Sequence, residues 1–139
     1  SISPWIVTRA ALEPFRTSTP ARERELLPYL QEPKPMLYDI DLSVTIQPQG
    51  GAKTTICETN YKEMYYSAAQ QLAHHAHQRG SLLELSWGGK EPVDIGNGQT
   101  RSFIEDGDTL ALHGAAKGDG YLIGFGACTG TIKPAVKFP

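Results

Sequence analysis

Between Asp41 and Gln47 apolar and polar residues alternate, with Leu42, Val44 and Ile46 set against Ser43, Thr45 and Gln47. A period of two puts each set on its own face, so the stretch predicts a half-buried strand. Pro48, Gln49, Gly50 and Gly51 end it with turn chemistry, and residues 54–57 resume as a short β-prone run. The period then changes. Tyr61, Met64, Tyr65, Ala68, Leu72 and Ala76 recur at spacings of three and four, the mark of one apolar helical face. Asn60 stands where an N-cap belongs, with Glu63 three residues on, so a helix is predicted over about residues 61–76. From residue 81 the period of two returns. Leu83, Leu85 and Trp87 fall on one side of a predicted strand, and Leu82, Glu84 and Ser86 on the other. Short runs follow at 93–95, 103–104, 109–113, 121–126 and 131–133, separated by glycine- and aspartate-bearing turns such as Gly96-Asn97-Gly98 and Asp106-Gly107. Many short strands at close spacing predict a mainly β fold, a compact roll or barrel, with one amphipathic helix near residues 60–77.

The 139 residues predict one domain, and 14 glycines with 10 prolines favour turns over long helices. Five prolines between residues 13 and 35 predict an extended connection there, pinned by Trp5, Phe15, Leu26 and Tyr29, with room for a helical turn or two over 21–27. Net charge is −2 and both signs are dispersed, which gives no support to nucleic-acid or membrane-surface binding. No apolar run approaches the roughly 20 residues of a membrane helix. The opening SISPWIVTRA lacks the layout of a signal peptide. Cys57 and Cys128 are isolated, so a zinc or redox pair is not indicated. A single disulfide is open to them, although two thiols in a reducing compartment, the cytoplasm, is the simpler reading.

Four histidines raise the question of a metal. His74, His75 and His77 fall at the predicted helix end, and His113 lies in a later strand. Histidine near a helix C-terminus is explained by the dipole alone. Gly118-x-Gly120 and Gly124-x-Gly126 sit within strand sequence with no helix after them, so they read as bends or bulges rather than a phosphate loop. Asp106, Asp108 and Asp119 read as turn formers, and no carboxylate cluster has metal-ligand spacing. Glu84 is the unusual acid, held among Leu82, Leu83 and Leu85. A carboxylate there is exposed at a rim, paired, or held where a raised pKa suits general-base work.

The segments SLLELSW (81–87), DIGNGQTR (94–101), DGD (106–108), GDGY (118–121) and IGFGACTG (123–130) together resemble the end of the fumarylacetoacetase family. SPWIV (3–7), YDIDLSV (38–44) and the QLAHH stretch (71–75) are similar to it too. The resemblance covers essentially the whole chain. It implies a partial domain over 1–139, the C-terminal part of a catalytic domain, with a Gly-Thr-Ile-Ser-Gly loop missing near residues 78–79. It also implies hydrolysis of a carbon–carbon bond in a β-diketone acid, fumarylacetoacetate, at the end of tyrosine and phenylalanine catabolism. Mg²⁺ or Ca²⁺ would assist, and a His–Glu pair would activate water. Glu84 falls on the glutamate of that pair, whereas the histidine and the metal carboxylates are expected outside this segment. A homodimer is implied. The competing expectation is a truncated, non-catalytic member that serves dimerisation or small-molecule binding.

Overall fold

The computed structural model describes residues 2–77 and 88–136. The alternating stretch Asp41–Gln47 is β3, and it lies inside a four-stranded antiparallel sheet of order β4-β3-β7-β8. β4 is Thr54–Asn60, β7 is Thr109–Gly118 and β8 is Tyr121–Thr131. Two smaller antiparallel pairs complete the strands. One joins β1 (Arg16–Thr17) to β2 (Leu37–Tyr38), and the other joins β5 (Gly88–Gly96) to β6 (Gln99–Phe103). The mainly β expectation holds. Among the described residues, however, the sheets stay open and do not close into a barrel.

Register gives the sheet two unlike faces. Leu42 lies beside Gly114, Val44 beside Leu112 and Ile46 beside Leu110. The main core forms at one end of that apolar face, where Leu12, Phe15, Ile40 and Ala116 are buried among Leu42, Tyr61, Ile123 and Phe125. Short helix α1 (Arg9–Leu12) and the 3₁₀ turn Glu13–Phe15 deliver two of these side chains. The opposite face carries Asp41, Ser43 and Thr45 with their neighbours His113 and Ala111.

The strand predicted at 121–126 runs on to Thr131 as β8, with a bulge, and residues 132 and 133, predicted as strand, lie beyond its end. His113 pairs Ala127 and Ala115 pairs Gly124, so Gly114 opposes two residues, Phe125 and Gly126. Gly126 has φ +70°, and a Cβ there would lie 2.2 Å from Trp5 Cδ1. Trp5 therefore rests on the bulge although 70% of it is exposed. Asn97 and Gly98, both at positive φ, make the tight turn between β5 and β6. Asp106-Gly107 turns as expected but joins strands of different sheets. The buried Asp108 carboxylate fixes that corner by accepting from Glu105 N–H (2.9 Å) and Arg101 Nε (3.3 Å).

The helix starts later than the apolar spacing predicts. Residues 61–63 form a 3₁₀ turn capped by Asn60, Met64 is extended, and α2 runs from Ala68 to His77. Ser67 and Gln70 account for the break. Ser67 Oγ accepts from Gln70 N–H (3.1 Å) and Gln70 Oε1 accepts from Ser67 N–H (3.0 Å), a reciprocal capping box. Tyr61 OH takes a further free donor, Ala68 N–H, at 3.1 Å. The predicted apolar face is consequently not the buried one. Leu72 is 69% exposed, whereas Gln70 is buried and donates to Leu30 O (2.7 Å). Residues 21–27 form no helix, and the only regular piece near them is the 3₁₀ turn Pro28–Leu30. Its Leu30 anchors the connection, whereas Leu27 is exposed.

Candidate functional site

Glu84 and its neighbours 81–87 lie outside the described residues, so the site is built from the polar face of the sheet. Asp39 and Asp41 are two apart at the start of β3, and β4 ends opposite them at Asn60. Asn60 Nδ2 donates to Asp39 Oδ1 (2.7 Å) and to Asp41 Oδ1 (3.0 Å). Its Oδ1 accepts from Ile40 N–H (3.3 Å) and Lys62 N–H (3.0 Å). One side chain thus fixes two carboxylates. Each then meets a lysine: Lys62 Nζ lies 3.0 Å from Asp39, and Lys117 Nζ lies 2.9 Å from Asp41. An open groove of about 670 Å³ is lined by the two aspartates and two lysines of this cluster, by Arg16, and by Phe15 and Tyr121.

The electrostatics assign the cluster a role. Hydrogen bonds from Lys117 and then Asn60 hold Asp41 below the usual carboxylate range. The Asp39 hydrogen bond raises Lys62, and the Asp41 hydrogen bond raises Lys117. At neutral pH neither lysine is a ready nucleophile or base, and Asp41 is no proton donor. The cluster is a charged platform. A divalent cation does not fit it either, because both carboxylates already share Asn60 and carry a lysine each. Among the described residues no group of three or more His, Cys, Asp or Glu side chains is placed to hold a metal.

A second groove, about 420 Å³, adjoins the first and shares Asp41 and Lys117 with it. Across its floor the register sets Glu58 on β4, Ser43 on β3 and His113 on β7 in one row, since Ser43 pairs with both of the others. Neighbours in such a row are about 5 Å apart on the same face. Sequence spacing gives no hint of this row, because Ser43 and His113 are far apart in the chain. A periodicity reading places Ser43 on the polar face of β3 but cannot choose its neighbours.

The other histidines stay separate. His74 Nδ1 is 3.1 Å from Tyr29 OH, and the two rings stack at 6.3 Å, tying α2 to the Pro28–Leu30 turn. His75 and His77 are described only along the backbone. Both cysteines are free. They stand on the outer strands, in the row Cys57, Val44, Leu112, Cys128. Three strand spacings, about 14 Å, exceed the roughly 7 Å limit for a disulfide. That removes the pairing left open above. No helix among the described residues is long and apolar enough to cross a membrane.

No model of a known protein family matches the chain. Individual proteins do. The chain is 41% identical to fumarylacetoacetase from Homo sapiens across 98% of its own length, and 40% identical to that of Arabidopsis thaliana across 97%. It is 42% identical to that of Aspergillus fumigatus across 99%. It spans 37–38% of the length of these relatives. The human match extends over 159 positions against 139 residues here, so it requires gaps on this chain's side.

Proposed function

We propose that this chain, a homologue of the fumarylacetoacetases along nearly its whole length, forms part of an enzyme that hydrolyses a carbon–carbon bond in a β-diketone acid. The observation that carries the reading is identity near 40% over 97–99% of the chain. The substrate of the reading is fumarylacetoacetate, cleaved to fumarate and acetoacetate at the end of tyrosine and phenylalanine breakdown in the cytoplasm. Because the chain spans 38% of the human relative's length, the activity belongs to a longer polypeptide or an assembly, a homodimer in this reading. The gaps in the match fall, in the same reading, between α2 and β5, near residues 78–79.

Glu84 is this chain's contribution to the reaction. A glutamate beside a histidine holds the imidazole in place and stabilises the charge it gains when it takes a proton from water. The histidine would come from outside this chain. So would the ligands of a Mg²⁺ or Ca²⁺ ion, whose chemistry when bound is to polarise the dioxo group.

The test is Glu84→Gln in the full-length enzyme, with fumarylacetoacetate cleavage followed by loss of its absorbance. Turnover should drop about 100-fold or more, the usual size of a general acid–base contribution, while calorimetric Mg²⁺ affinity stays within about two-fold. Unchanged turnover removes Glu84 from the mechanism. Absence of cleavage in the unmodified full-length protein, together with no Mg²⁺ binding, removes the hydrolase reading and leaves a non-catalytic β-domain.

A further inference from the structure

We propose that the apolar face of the main sheet is a docking trough for a segment of the longer polypeptide, the part that precedes Ser1, which lays apolar side chains over Val44, Leu112 and Cys128. β7 lies inside the sheet, between β3 and β8. Its residues Leu110, Leu112, Gly114 and Ala116 share the apolar face. Ala116 is buried in the core, yet Leu112 is 51% exposed. The row that crosses the sheet at Leu112 runs Cys57, Val44, Leu112, Cys128, and no member of it is buried.

The two ends of this face are covered. Toward Ala116, Leu12 and Phe15 close over it. At the other end Ile46 is buried, and Thr54 beside it donates to Ile95 O (2.6 Å), which seats β5 there. Between the ends lies a trough of about 370 Å³. An apolar strip left open inside a sheet marks an interaction site, because such a face is ordinarily packed.

Three observations choose the occupant. No Asp, Glu, Lys or Arg lines the trough, so it takes apolar side chains rather than a charged ligand. It is concave, and a two-fold contact between copies would set hollow against hollow, which fills neither. The chain covers 38% of the human relative's length, so more than half of such a polypeptide lies outside it. The chain resembles the family's end, which places that remainder before Ser1. Ser3 and Trp5 form the trough's rim, and Ser3 Oγ donates to Phe125 O there. The preceding residues therefore start at the rim, and a short tether holds them at an effective concentration on the order of millimolar. The inference rests on the reading of this chain as part of a longer polypeptide, but it uses no residue assigned to the chemistry.

The test uses the full-length protein, with hydroxyl radicals to report accessibility and photo-leucine in place of leucine to report contacts, both read by mass spectrometry. Leu112 should be oxidised at least about ten-fold more slowly than in urea-unfolded protein, as expected of a buried side chain. An open trough would leave it near half the unfolded rate, in line with its 51% exposure. Photo-leucine at position 112 should cross-link within one polypeptide to residues preceding Ser1. Mixing ¹⁴N- and ¹⁵N-labelled protein distinguishes this from a cross-link to a second copy. A Leu112 that reacts as an open residue overturns the proposal. So does a cross-link that joins two copies, one that reaches only residues 78–87, or none at all. Fumarylacetoacetate cleavage by the same preparation keeps the two readings apart. An active enzyme with an open Leu112 sinks this inference alone, whereas a protected, upstream-linked Leu112 in a protein without activity sinks the hydrolase reading alone.

Discussion

Gly126 shows how much one residue can fix. Its φ of +70° lies in the left-handed region, and Trp5 occupies the space a Cβ would need. Ser3 Oγ donates to Phe125 O beside it, so the N-terminal segment is fastened at the bulge by one ring and one hydroxyl. Gly126→Ala meets both a backbone penalty and a clash. It should cost about 2–3 kcal/mol, read as a lower urea midpoint with an unchanged slope. Trp5→Ala in the same background should recover part of the loss, because it removes the clash and not the strain. A Gly126→Ala midpoint equal to that of the parent would show that the bulge relaxes freely. The Gly-x-Gly spacing signals a bulge in the sequence. The partner that demands glycine, 121 residues upstream, is invisible there.

At the scale of elements, β3 is fully legible and α2 only half so. Alternation fixes β3 because one face is buried, and a register slip would turn Leu42, Val44 and Ile46 outward. The helix is misjudged at its start because two caps compete. Asn60 with Glu63 and Ser67 with Gln70 both have the capping-box spacing. Asn60 is taken by Asp39, Asp41 and the Ile40 N–H, contacts that come from the segment leading into β3. Ser67 is therefore the cap of the true helix, and its hydroxyl also donates to Glu32. Ser67→Ala should lower stability by about 1–2 kcal/mol and reduce helical ellipticity. Ser67→Asp restores an acceptor for Gln70 N–H but places a charge against Glu32, so it should recover less than Ser67→Thr. Equal stability of the Ala and Thr variants would remove the cap from the account. The polar row of Glu58, Ser43 and His113 eluded sequence reading for a related reason: strand order is a property of the sheet, and no local pattern encodes which strands become neighbours.

At the scale of the whole molecule, the two lysine–aspartate pairs set a window of pH. Folding lowers Asp41, so its share of stability is present above the unfolded carboxylate value, about 3.9, and is lost as pH falls through the lower folded value. Folding raises Lys62 and Lys117, so their shares are complete below about 10.4 and are lost as pH climbs through the raised values. The contribution of these pairs should thus be level across neutral pH and fall away at both extremes. Lys117 is 72% exposed and Asp41 52%, so solvent screening keeps each contribution small. Two measurements isolate it. Urea midpoints across pH should show shallower acid and alkaline limbs for Lys117→Gln than for the parent. High salt should bring the parent toward the variant, because a Debye length near 3 Å at 1 M screens exposed charges. The same comparison separates these pairs from the buried Asp108, whose bonds to Arg101 and to the Glu105 N–H are shielded from solvent and should be little affected by salt. If the parent and Lys117→Gln curves superimpose across the acid limb, the Asp41 pair contributes nothing to folding, and the platform at the sheet's end serves only to shape the field over the two grooves.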